Sequence, residues 1–315
     1  MKPNTLRHVS PTLLLGALGA ALGAAAAHAS SRTPVFRADV ELVNVAVTIT
    51  DTHSRYITDL AESDFEVFED GRPQDLSMFT HERLPVSLAI LLDTSQSMTS
   101  KLPTAQKAAI QFVRTLDGGD EAQVIQFNER ARIIQDFTAD QAALETAIRN
   151  TRATGSTGLY NALYIALKDL AARRRAEELR RMAVVVLSDG EDTTSLVSDD
   201  QVLNLARTSG IAVYGISLRP ALTAPATLGQ DVGLPRYFFT TLARDTGGQA
   251  HFLRGIAELG GTYDRVAEEL RSQYNLGYFS DNGTRDGRWR RIQVRLTSRA
   301  GFQVRHRTGY YAPRR

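Results

Sequence analysis

Hydrophobic and polar positions divide the chain into four stretches with different rhythms. The first is an apolar run from Leu13 to Ala27, preceded by Lys2 and Arg7 and closed by Ala27-His28-Ala29. A positive start, an apolar middle and a small-x-small ending form the pattern that signal peptidase removes. A membrane anchor is the alternative, but the run is rich in Ala and Gly and shorter than the roughly 20 residues that span a bilayer. Residues 1–29 are therefore expected to be a signal peptide, with the mature protein exported to the periplasm or secreted. No Cys follows the run and no second long apolar run appears, so neither a lipid anchor nor a transmembrane segment is expected in the mature chain.

From residue 30 to 83 the rhythm is that of strands. Val43, Val45, Val47 and Ile49 alternate with smaller or polar residues, the period of a sheet with one buried face. Asp51-Thr52-His53-Ser54 reads as a turn, Phe65 and Val67 start another alternating run, and Asp70-Gly71 is a hairpin signal.

Residues 84–271 alternate strand and helix. Ser87 to Leu92, Ala183 to Leu187 and Ile211 to Ile216 are near-continuous apolar runs, as in strands covered on both faces. Between and after them, helical spacing marks Leu102–Leu116, Leu144–Ile148, Leu159–Leu170, Val202–Leu205, Phe238–Arg244 and Tyr263–Arg271. Val124–Phe127 and Ile133–Phe137 predict a strand pair, and His251–Leu253 a further strand. This order predicts a doubly wound, mostly parallel sheet with helices on both faces. Ala221 to Pro235, rich in Pro, Gly and Ala, is expected to be a surface insertion.

Residues 272–315 return to strands, at Tyr274–Phe279, at Ile292, Val294 and Leu296, and at Phe302 and Val304 after an Ala300-Gly301 turn. Neither end of the chain has strands enough to bury a core alone, so the two are expected to pair into one small β-sandwich.

Composition narrows the function classes. With 43% hydrophobic and 23% charged residues, a folded chain is the default. Loss of Lys2 and Arg7 with the leader takes the formal charge of +2 to zero, so a polyanion-binding surface over the whole protein, and nucleic acid as a partner, are not expected. The chain has no Cys, which excludes disulfides and thiolate ligands.

The chemistry collects after the predicted parallel strands. Asp93-Thr94-Ser95-Gln96-Ser97 follows the first, Thr154-Gly155-Ser156-Thr157-Gly158-Leu159 leads into a helix, and Ser188-Asp189-Gly190-Glu191-Asp192 follows a later strand. Ligand sites in open parallel sheets lie outside the carboxyl ends of strands, where these three loops meet. Carboxylate and hydroxyl oxygens suit hard cations such as Mg²⁺, Mn²⁺ or Ca²⁺. Local capping of helix starts is the competing reading for the Asp and Ser positions.

These loops resemble the von Willebrand factor type A family. Its metal-ion-dependent adhesion site combines D-x-S-x-S, a Thr in a G-x-T-x-L-like loop, and an Asp-Gly after a later strand, filled here by Asp93, Ser95, Ser97, Thr157 and Asp189. The stretch Val40 to Gly71, with Phe65-Glu66-Val67-Phe68-Glu69-Asp70-Gly71, is similar to exported relatives of that family described mainly from acidobacteria. The resemblance implies one divalent cation, foremost Mg²⁺, held by those five residues, with an open position for an Asp or Glu of a protein partner. Asp192 and Glu191 are expected at the rim rather than as ligands. An adhesion or assembly module follows; the alternative is an envelope-assembly protein in which the metal only stabilises the domain.

An enzyme is not expected. The six His residues form no H-x-x-x-H pair, no G-x-S-x-G elbow is present, and no His lies in a matched motif near Ser95 or Ser97. Arg285, Arg288, Arg290, Arg291, Arg295, Arg299, Arg305 and Arg307 crowd the last strands; they are read as a solvated hairpin face, with a polyanion or lipid-headgroup surface as the other reading. The run from Arg173 to Arg181 is read as an exposed, ion-paired helix end.

Overall fold

A computed structural model describes residues 42–174, 180–189, 192–218, 234–297 and 301–314. The expected signal peptide, Gly190, Glu191, Arg299, Ala300, most of the expected insertion and part of the Arg173–Arg181 run lie outside them. Strand β1 (Leu42–Thr50) comes first, followed by β2 (Phe65–Glu69), β3 (Arg72–Gln74) and β4 (Leu76–Thr80). The β2–β3 turn places Asp70 and Gly71 at φ 48° and 82°, the left-handed pair that a two-residue hairpin of matching twist requires.

The α/β region then runs β5 (Val86–Asp93), α1 (Leu102–Arg114), β6 (Glu121–Phe127), β7 (Ala131–Thr138), α2 (Gln141–Arg149) and α3 (Leu159–Ala172). It continues with β8 (Arg181–Ser188), α4 (Asp199–Ser209), β9 (Ala212–Ser217), α5 (Leu234–Thr246), β10 (Ala250–Phe252) and α6 (Leu259–Ser272). Because α5 starts at Leu234, the insertion ends before Pro235 rather than at it.

Six strands form one sheet in the order β10-β9-β8-β5-β6-β7, parallel throughout except for antiparallel β7. Every residue of β5 is buried, and its alternation serves two cores. Leu88, Ile90 and Leu92 pack with α1, α2 and α6, while Ala89 and Leu91 pack with α3, α4 and α5. This is the doubly wound arrangement expected from the near-continuous apolar runs.

The chain ends in β11 (Tyr274–Phe279), β12 (Trp289–Leu296), β13 (Gln303–Arg305) and β14 (Gly309–Tyr311). Two antiparallel four-stranded sheets, β13-β1-β11-β4 and β14-β12-β2-β3, each combine strands from both ends of the chain. Their inner faces share one core containing Val45, Val47, Val67, Tyr274, Leu276 and Val294. The short β14 has no predicted counterpart, since three residues are too few to show a period.

Two arginines expected on the solvated face turn inward instead. Arg290 is 5% exposed and bonds Asp286 Oδ1 at 3.0 Å. Arg305 grips the buried Glu269 of α6 with both branches, at 2.8 and 2.5 Å. Tyr214 of β9 donates to the same carboxylate at 2.7 Å, so the pair ties the sandwich to the parallel sheet within one compact unit. Arg291 and Arg295 are exposed as expected.

Removing one partner of a buried pair leaves an uncompensated charge. Arg305→Met is expected to lower unfolding free energy by roughly 2–3 kcal/mol in urea titrations. Adding Glu269→Gln should recover part of that loss; a variant as stable as the parent would show that the pair holds nothing together.

Candidate metal centre

The parallel pairing of β5 with β8 sets Leu92 opposite Leu187, which levels the carboxyl ends of the two strands. Asp93 closes β5, Ser188 closes β8, and Asp189 follows. Strand order reverses here, with the chain leaving β5 for β6 on one side while β8 lies on the other, and such switch points open crevices at the sheet edge.

Asp93 is fully buried and oriented from two sides. The Ser95 N–H donates to its Oδ1 at 2.8 Å and the Ser188 hydroxyl to its Oδ2 at 2.6 Å. Burial pushes its carboxyl above the ordinary aspartate range; the hydroxyls of Ser188 and Ser95 and the Ser95 N–H oppose this, and the charge of Asp189 adds to it. Ser95 and Ser97 hydroxyls lie 3.0 Å apart, and Ser97 donates to Asp189 Oδ1 at 2.6 Å. Lys101 pairs its ammonium with Asp189 Oδ2.

The loops are locked to one another by backbone. Thr94 donates both its N–H and its hydroxyl to Phe127 O at the end of β6, at 2.7 and 3.0 Å. Thr94 O accepts from Thr154 N at 2.8 Å, and Gly155 O accepts from Gln96 N at 2.9 Å. Gly155 sits at φ +76°, a left-handed conformation that favours glycine, and a Cβ there would also displace the Glu129 carboxylate. Thr157, 5% exposed, is clamped through its backbone: its N–H donates to Thr193 Oγ1 at 3.2 Å, and its carbonyl accepts from Thr193 N at 2.8 Å.

Asp93, Ser95, Ser97 and Asp189 are thus joined side chain to side chain or through one N–H, whereas Thr157, buried in the adjoining loop, is tied to Thr193 and Thr194. Asp192 is committed elsewhere, accepting from Tyr160 N at 3.1 Å and from the Ser195 hydroxyl at 2.5 Å. Among the described residues no cluster of three or more His, Cys, Asp or Glu forms a metal cage. The donor set is two carboxylates with hydroxyls, all hard oxygens, and its charge balances one divalent ion. The Lys101 ammonium on Asp189 shows that the site favours positive charge. The residues fit a hard divalent cation. Sequence reasoning gives Ser188 and Lys101 no role: it places Ser188 in the loop after the strand, whereas Ser188 closes β8, and Lys101 lies beyond the D-x-S-x-S motif, at the N-terminal boundary of α1.

Residues 88–191 match the model of the von Willebrand factor type A domain. An uncharacterised protein of Synechocystis sp. is 32% identical over 113 residues, covering 35% of this chain and 26% of its own length, so this chain spans about a quarter of that relative. A UPF0353 protein of Nocardia farcinica is 25% identical over 232 residues, covering 64% of this chain and 67% of its own. The solved structure of a von Willebrand factor type A protein from Catenulispora acidiphila shares the fold, with a TM-score of 0.50 at 14% identity over 88% of this chain and 75% of that one. By the model that residues 88–191 match, the central α/β region is similar to the von Willebrand factor type A domain, and the Catenulispora structure shares its fold.

Proposed function

We propose that this protein is an exported binding module that holds one divalent cation, foremost Mg²⁺, through Asp93, Ser95, Ser97, Thr157 and Asp189, and captures an acidic residue of a protein partner. In this reading residues 1–29 are a removed leader, residues 84–271 carry the site, and residues 30–83 and 272–315 supply the sandwich. The observation that carries it is the pair of buried carboxylates, Asp93 and Asp189, at one sheet edge among hydroxyl oxygens.

A bound divalent cation supplies Lewis acidity that attracts an outside carboxylate. The protein's own groups make that attraction selective. Ser188 and the Ser95 amide hold Asp93 in one orientation, so little reorganisation is needed on loading. The hydroxyls of Ser95 and Ser97 donate or accept as required and add no charge. With only two carboxylates committed, an incoming third is attracted rather than repelled. Lys101 neutralises Asp189 in the cation-free protein and withdraws along its flexible stem when the site loads.

A second reading has the cation only stabilise the domain, and the Ser97–Asp189 and Ser188–Asp93 bonds that bind separate loops favour it. The two readings part on partner capture by a folded, cation-free protein.

Among the described residues no helix is long and apolar enough to cross a membrane. Export is tested by the mass of the protein recovered from periplasm or medium, expected to begin at Ser30; retention of residues 1–29 would reject it. In calorimetric titrations with Mg²⁺ or Mn²⁺, Asp93→Ala and Asp189→Ala are each expected to abolish binding, while near-ultraviolet circular dichroism stays unchanged. Lys101→Met should bind Mg²⁺ roughly fivefold more tightly, the scale of a partly exposed charge pair. Envelope proteins held on immobilised protein with Mg²⁺ should elute with EDTA and fail to bind Asp93→Ala; capture that persists in EDTA would leave the stabilising role standing.

A further inference from the structure

The same sheet edge carries a second polar feature. A cleft of about 370 Å³ opens beside the Thr154 loop, with Arg130, Arg132 and Arg152 on its walls together with Glu129, Asn128 and Thr154. The three arginines converge from separate segments. Arg130 lies in the β6–β7 turn, Arg132 pairs in register with Gln126 on β7, and Arg152 follows α2.

All three side chains are exposed, and among the described residues none forms an ion pair. Arg152 donates only to the carbonyls of Arg149 and Thr151, at 3.1 and 2.9 Å. The one acid of the cleft, Glu129, is turned toward the neighbouring loop: it accepts from Ser156 N at 3.2 Å and overlies Gly155. Three exposed arginines therefore line one solvent-filled space, and among the described residues none is committed to a carboxylate. That geometry suits bidentate recognition of an anionic oxygen pair.

Position gives the cleft its meaning. Thr154 on its wall donates its N–H to Thr94 O, inside the D-x-S-x-S loop. Three residues further on is Thr157. Three peptide units reach at most about 11 Å, so the backbone of the cleft wall at Thr154 lies within that distance of Thr157. A partner segment lying across this edge would meet both.

We propose that the Arg130–Arg132–Arg152 cleft is a second anion subsite, receiving another acidic side chain of the partner segment whose first acidic residue is taken by the cation site. The ligand is an extended acidic peptide with two carboxylates at one defined spacing. The inference rests on the cation-bridged reading above for its first anchor. The gathering of three arginines without ion pairs among the described residues supports the second anchor independently.

The test uses the full chain and labelled glycine-rich peptides in anisotropy titrations with Mg²⁺ in excess. One peptide carries a single Asp; the others carry two, separated by one to six positions. Peptides of one spacing are expected to bind about tenfold more tightly than the single-Asp peptide, as a charge-assisted bidentate contact allows, and the other spacings less. Arg130→Ala with Arg132→Ala should bring them down to the single-Asp level and leave the single-Asp peptide and its Mg²⁺ dependence unchanged.

An affinity independent of spacing, or an equal loss for both peptide types in the arginine variant, would overturn the subsite in favour of a general positive field. Heparin fragments that outcompete the paired-Asp peptide through the same arginines would reject a peptide ligand. Failure of the cation reading is separable: no peptide would then respond to Mg²⁺ or to Asp93→Ala. In that case, a preference for paired Asp that persists in EDTA and requires Arg130 and Arg132 would uphold the cleft, and its absence would overturn it.

Discussion

The parallel ladder between β5 and β8 is the constraint from which the site follows. It levels Asp93 with Ser188 and so places a second acid, Asp189, within reach of the same hydroxyls. The ladder is held by apolar side chains on both faces, with alternate residues of each strand feeding two separate cores. Such a strand cannot slip by one position without exchanging the contents of those cores. The chemistry at the edge thus inherits its precision from packing far below it.

Charge is handled differently at the two ends of the α/β layer. On the sandwich side the buried Glu269 meets a permanent cation, Arg305, delivered by a strand more than thirty residues later in the chain. At the carboxyl edge, Asp93 receives only neutral donors, and Asp189 meets a flexible, partly exposed lysine. A guanidinium fork locks a joint, whereas an ammonium on a long stem can leave. The first arrangement is a structural tie and the second is suited to exchange.

The polar groups of the proposed site gather at the sheet edge. There Thr94, Gln96, Thr154 and Gly155 tie the D-x-S-x-S loop to the cleft wall by backbone bonds, and Thr157 ties the next loop through Thr193. Loops joined in this way keep their spacing, which a ligand with more than one contact point requires. The sandwich, built from both ends of the chain, closes on the opposite side through Glu269 and Arg305 and leaves this edge open.

Much of this was legible in the sequence. Continuous apolar runs at Ser87–Leu92 and Ala183–Leu187 mark strands buried on both faces, and alternation at Val43–Ile49 marks one buried on a single face. The D-x-S-x-S and Asp189 positions stand out because loops after parallel strands share an edge whatever the details of packing, whereas Thr157, in the loop between α2 and α3, stands out only through the family resemblance. Periodicity reports burial along one segment and says nothing of which distant segment lies beside it. Only the tertiary structure decided that Arg290 and Arg305 turn inward, that Ser188 orients Asp93, that Lys101 reaches Asp189, and that Arg130, Arg132 and Arg152 converge. Each of these depends on a partner from another element, and such partners are chosen by how sheets and helices stack.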